Sequence, residues 1–365
     1  MSAGDMLARA NRLAAMNLYE KAGELYEQAV REHVPGAIVK YGEMLFEAGD
    51  YPAAEKVLRS AVDEGDDAAY GWLSDVLVAA ERPSEAAHLM ERAAGQGVPK
   101  AALRAATIWA DAVGDRERAE SWYKKAIDRG EPGAVNDYGV FLAEDENRLD
   151  EAERLLRVAA EEGDDLAYGN LGSIALDRGD PEAAIELLRQ GITPGSSALL
   201  HLAVAEEQLG RFAAARAYFD RAVSEDIPDA LVKRAQFLAD QDEAEAAEAD
   251  FLAAADRGEA GADYYYAAFL ARYGRADEAT DRFQRAIEAG SDAAYEDLAL
   301  IHQSNGDTAT AEKYFMASIT AGWLSAVFSY ADMLRGQGRL SEVAALVPLA
   351  ENLGADPEEI AALRE

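Results

Sequence analysis

The sequence predicts an all-α protein, an α-solenoid of stacked helix-turn-helix hairpins. Three observations carry that expectation. An alanine that opens a helix returns at Ala37, Ala69, Ala102, Ala134, Ala167, Ala198, Ala230, Ala262, Ala294 and Ala326, each 31 to 33 residues after the last. One more step back reaches Asp5, where the rest of the pattern still holds, so the period gives about eleven repeats. Apolar residues recur at helical spacing twice per repeat, and runs of Val, Ile and Thr with alternating polarity are absent. Finally, a glycine closes most second helices, among them Gly65, Gly97, Gly130, Gly163, Gly258, Gly290, Gly322 and Gly354. A chain of 365 residues would otherwise suggest two or three globular domains. Repeats override that prior, because a solenoid grows by stacking rather than by enlarging one core.

Each element has its own justification. Five residues after the opening position stands a small residue, as in Gly42, Ser74, Gly139, Gly172, Ala203 and Ala299. A large side chain there would hold paired helices apart. One position earlier the residue is usually large and apolar, as in Tyr41, Leu73, Tyr138 and Leu171. Ala106 and Arg234 break that rule, and Arg234 is expected to lay its stem on the apolar surface and carry its charge to water. The second helix reads alanine, large residue, alanine at spacings of four and three, as in Ala119-Tyr123-Ala126 and Ala215-Phe219-Ala222. That spacing places all three on one face.

Three departures mark the chain. The fifth repeat has one extra residue near Glu146–Leu149, which predicts a longer turn. The joint Gly191–Ser197 loses its acidic turn and carries Pro194, reading either as a bend in the stack or as a shorter turn. The segment 357–365 falls outside the period and reads as a short polar helix capping the open end. The predicted organisation is therefore one repeat array over 1–356 with a cap at 357–365.

Lys and Arg number 35 against 69 Asp and Glu, a formal charge of −34. Such a surface repels nucleic acid and anionic lipid and favours cationic partners, although acids that only solvate turns would give the same total. The absence of cysteine excludes disulfides, thiolate metal sites and cysteine nucleophiles. The start lacks a signal-peptide pattern, and no apolar run approaches the ~20 residues that span a bilayer. A cytoplasmic protein is the expectation.

No phosphate loop, H-E-x-x-H or G-x-S-x-G is present. His302 takes the place held by Leu45, Leu77 and Leu142 in other repeats, which predicts a core histidine rather than a base or ligand. Acidic pairs such as Asp66-Asp67 and Asp164-Asp165 sit at joints, where aspartate caps a following helix. Calcium loops need more oxygens spaced along one turn. The sequence therefore predicts no enzyme, no cofactor and no metal site.

The large-small pattern of the first helix, followed by Ala-aromatic-Ala on the second, resembles the tetratricopeptide repeat. Joints such as KAIDRGEPGA and RAIEAGSDAA are similar to the related Sel-like repeat. The resemblance runs from Asp5 to about Gly354. It implies a right-handed superhelix, of bacterial type, whose concave groove is lined two, six, nine and ten residues after each opening position. Those positions give Glu43, Asp75, Asp111, Glu144 and Asp177, interrupted by Arg104 and Asn136. Toward the C-terminus they give Tyr264, Arg272, Phe328 and Arg335. Tyr264 and Phe328 fit two arrangements, facing the groove or packing on the adjacent repeat. The family's chaperone-docking members grip a terminal carboxylate with a Lys/Asn/Arg clamp; Glu43 and Asp75 stand at matching positions here, so that activity is not expected. The resemblance implies a non-enzymatic scaffold or adaptor that holds a basic or amphipathic peptide or protein segment in an acidic groove. Two alternatives stand beside it: a peptide-responsive regulator acting through a partner protein, and a self-assembling repeat protein.

Overall fold

The computed structural model describes residues 3–364, and among them every regular element is a helix. The helices alternate as the period requires. In the first compact unit, Met1–Gly191, six hairpins follow one another. Their first helices begin at Ala3, Ala37, Ala68, Ala101, Ala134 and Asp165, within two residues of the expected openings. In the second unit, Ile192–Glu365, first helices begin at Ala198, Ala230, Ala262, Ala294 and Leu324, and a short final helix spans Pro357–Arg364.

The close helix pairing has a visible cause. A β-carbon on Gly42 would lie 2.5 Å from Leu58, one on Gly139 2.8 Å from Leu156, and one on Gly172 2.4 Å from Leu188. Each leucine is fully buried, a burial that stabilises by about 1.5–3 kcal/mol. Tyr26, Tyr123, Phe219, Phe251 and Phe283 fill the space between hairpins and are buried too. The second helices end as expected: Gly163 has φ 92° and Gly322 φ 102°, which an L side chain adopts only under strain.

The irregular places are informative. The extra residue of the fifth repeat forms a short 3₁₀ turn, Glu146–Arg148, capped by the Asp145 side chain. In the fourth repeat the first helix Ala101–Thr107 widens into a π-helix, Ile108–Val113. At the joint after the sixth repeat, the helix Pro181–Gln190 is 10 residues long where the earlier second helices have 13 or 14. Gly191 there has φ −95° and is a close-approach glycine, since a β-carbon would lie 2.6 Å from Tyr168 and 2.9 Å from the Asp165 carbonyl. The two compact units divide at this joint. In the last repeat Pro348 breaks the second helix into Leu340–Ala345 and Val347–Asn352, because proline cannot donate to the preceding turn. The helix Pro357–Arg364 packs on both pieces and buries Ile360 and Leu363.

The expectation for Arg234 is corrected. Its guanidinium donates to Asp250 through Nε (2.7 Å) and Nη2 (2.8 Å) and to Asp220 through Nη1 (2.9 Å). Asp250 stands where most other repeats carry an apolar or aromatic residue, so the pair replaces an apolar contact with a largely buried ionic one. His302 lies half-buried against Tyr314, with ring centroids 5.6 Å apart.

Charged clamps join successive hairpins. Arg82 reaches back to Glu55 (2.8 Å), Arg148 to Glu120 (2.7 Å), Arg275 to Glu248 (2.8 Å), and Arg339 to Glu312. Each arginine also holds a glutamate three residues ahead of it: Glu85, Glu151, Glu278 and Glu342. In three of these junctions a tyrosine hydroxyl donates to the same rear glutamate: Tyr138 to Glu120, Tyr266 to Glu248 and Tyr330 to Glu312. These groups are partly exposed, so water and salt screen each pair and its contribution to stability is small.

Candidate interaction face

First helices of consecutive repeats pack directly on one another. Ala37–Glu47 touches both Ala3–Ala14 and Ala68–Ala79, Ala134–Ala143 touches Asp165–Asp177, and in the second unit Ala230–Asp240 touches Ala262–Arg272. Each unit thus presents a strip made of first helices, and the sequence-derived site residues are distributed along these strips.

In the first unit the charges are partly matched. Glu43 accepts from Lys40 at 2.6 Å. Asp75 is held by Arg104, which also donates to Ser74 Oγ at 2.9 Å; burial nevertheless pushes the Asp75 carboxyl above its ordinary value. Asn136 is only 5% exposed, and its Oδ1 accepts from Asn170 Nδ2 at 2.8 Å, so it ties two repeats together beneath the surface. Glu144 takes the Arg116 guanidinium at 2.5 Å, and that guanidinium lies 4.3 Å from the Phe141 ring centre. Asp111 is exposed, and partial desolvation by its neighbours, then the nearby Glu144, push its carboxyl above the ordinary value. Asp177 is exposed at the end of its helix.

In the second unit Glu207 repeats the situation of Asp111, raised by burial and then by Asp240 of the next repeat. Asp240 itself pairs with Arg272 at 2.9 Å, at the surface. Tyr264 is half-buried against Tyr265 and Phe283, and its hydroxyl is pushed up to about 12 by burial and by Asp297. Phe328 is half-buried against the C-terminal core. Arg335 donates to Asp332 (3.1 Å) and to the Ala362 carbonyl, docking the final helix. The three arginines expected on this face, Arg104, Arg272 and Arg335, therefore all have partners within the chain.

Sequence reasoning missed the apolar part of the face. Phe46 meets Trp72 (centroids 5.9 Å) and Tyr51 (5.7 Å), and Val140 and Leu300 are exposed six residues after their openings. The signal was available, since nine and six after the opening are positions the resemblance assigns to the groove. Among the described residues, no group of three or more His, Cys, Asp or Glu could hold a metal ion, and no helix is long and apolar enough to cross a membrane.

A family model described as tetratricopeptide repeat matches residues 7–69, 73–135, 142–197, 187–230 and 200–262, and a second of the same description matches 292–321. No curated protein matches the sequence. Among solved structures, yeast Tom70 is similar with a TM-score of 0.54 and 14% identity, over 99% of this chain and 94% of that one. A human IFIT1 dimer with m7Gppp-AAAA is similar with a TM-score of 0.54 and 13% identity, over 90% and 87%. A protective antigen of uropathogenic Escherichia coli displaying an SLR fold has a TM-score of 0.42 and 19% identity, over 90% and 79%. At these identities the likeness is one of fold.

Proposed function

The chain belongs to the tetratricopeptide repeat family, and on that premise we propose that it is a non-enzymatic scaffold. It binds a basic or amphipathic segment of a partner protein along its first-helix strips. The observation that carries this reading is the exposed acid left on the first unit's strip after internal pairing. Asp111 and Asp177 are exposed on the first helices of the fourth and sixth repeats and form no ion pair among the described residues, and Phe46, Trp72 and Val140 add apolar contact surface. Cationic side chains would relieve the negative field while aliphatic or aromatic ones cover the apolar patches.

The IFIT1 structure, with its m7Gppp-AAAA, makes nucleic acid a second reading for this fold. The charge of −34 weighs against it here, since phosphate would be repelled along the same strips.

The test is capture of partners from source lysate at low and high salt, repeated with Asp111→Lys/Glu144→Lys/Asp177→Lys. A partner retained at low salt, released by high salt and lost on the triple variant supports the reading. Retention by the variant equal to that of the native chain refutes it.

A further inference from the structure

One position of each second helix, twenty residues after the opening, fills the seam between hairpins. In the eighth, ninth and tenth repeats it touches position one or four of its own first helix. Asp250 holds Arg234, Arg282 pairs with Asp263 and lies 4.8 Å from the Tyr266 ring centre, and the rings of Tyr314 and Tyr295 are 6.4 Å apart. In the fourth repeat the filler is Trp122, whose Nε1 donates to Glu91 of the preceding repeat at 2.7 Å. The second repeat has only Val57 there. Its seam stays open as a hollow of about 340 Å³ between Val30 of the first repeat and Ile38, Tyr41 and Val57 of the second. Glu27, Arg31 and Lys56 stand at the edge. Arg31 and Lys56 are exposed and form no ion pair among the described residues.

We propose that this hollow receives the side chain of a tryptophan, flanked by acidic residues, on a partner protein. The seam before the fourth repeat is the template, because two of its determinants return here. Glu27 matches Glu91, each 22 residues after its opening, and Ile38 matches Leu103, each one after. Glu27 Oε1 accepts the Tyr41 hydroxyl at 3.1 Å, and its Oε2 has no hydrogen bond among the described residues. An indole N–H can therefore reach it as Trp122 reaches Glu91. Tyr41 replaces Ala106, but its ring is drawn onto Tyr26 (centroids 5.9 Å), so it walls the hollow without filling it. A guanidinium, the filler of the ninth repeat, would lose the carboxylate of Asp263, since Ile38 stands there, and would meet two cations at the edge. Those cations, unpaired in a chain of charge −34, instead attract carboxylates beside the indole. A buried aromatic anchor with a polar rim is the usual form of a binding hot spot. The seat uses positions one and four of the first helix, outside the groove positions, so its test stands apart from that of the strips.

The experiment uses the full chain with ¹³C-methyl isoleucine, reading the Ile38 methyl by NMR at low salt. The peptide acetyl-Asp-Trp-Glu amide should shift that resonance saturably. Methylating its indole nitrogen removes the hydrogen bond to Glu27 and should weaken binding about five-fold. Leucine in place of the tryptophan, or lysines in place of both acids, should also bind more weakly. Val57→Trp fills the seam from within, as Trp122 does, and should abolish the shift. The proposal is overturned if Ile38 shows no saturable response, if any of the three altered peptides binds as tightly, or if Val57→Trp still responds. Should Val57→Trp not fold, Val57→Leu, the type found at Leu89 and Leu155, should weaken binding, and unchanged binding overturns the proposal.

Discussion

Replacing Asp250 by alanine removes both oxygens that hold Arg234 Nε and Nη2 at 2.7 and 2.8 Å, leaving the guanidinium with Asp220 alone. Stripping one partner from a fully buried pair costs about 3–5 kcal/mol, mostly the penalty of an uncompensated charge. The Arg234 side chain is 22% exposed and keeps Asp220 at 2.9 Å, so the expected loss is smaller, about 2–3 kcal/mol. A solenoid with two compact units need not unfold in one step. The loss is therefore best read by urea titration together with amide hydrogen exchange across Ala230–Asp240 and Ala244–Arg257. A companion variant, Arg234→Tyr/Asp250→Leu, installs the types found at Tyr138 and Leu155 in the fifth repeat. It should match or exceed the native stability, since an apolar pair avoids desolvating two ions. A loss below about 0.5 kcal/mol for Asp250→Ala would refute the claim that the pair is a coupled, buried one.

Two further outcomes follow from the packing and the clamps. Gly172→Val places a β-carbon 2.4 Å from Leu188 Cγ, and should lower stability by about 1–3 kcal/mol. Thermal melting checks this, and Leu188→Ala in the same chain should recover part of the loss if steric conflict is the cause. Glu120 is held down at about 2, first by hydrogen bonds from Arg148, with Lys124 and Tyr138 adding to the effect. Its folded value lies below the ordinary 4.5, so its contribution is complete above that pH and is lost as pH falls toward 2. Melting temperatures from pH 7 to pH 2.5 should fall less steeply for Glu120→Gln than for the native chain. Equal slopes would mean that the Arg148–Glu120 clamp contributes nothing.

Much of the fold was legible because its determinants are local. The small residue of each first helix, the aromatic of each second and the closing glycine are set by positions a few residues apart, and the helices begin and end accordingly. The face was less legible. Register could place Asp111, Asp177 and Glu144 on the first helices, but not say that Asn136 is covered or that Arg335 docks the final helix. Arg234 shows the difference most clearly. Its sequence position marked it as an exception, while its partner Asp250 lies 16 residues away on the paired helix. No pattern within one helix joins the two.

The sequence by itself determined that this is a stack of helical hairpins carrying excess negative charge, because period and composition are properties of the chain alone. Tertiary structure decided which charges cancel. The arginines of the clamps meet glutamates 27 or 28 residues back, a distance closed only when one hairpin packs on the next.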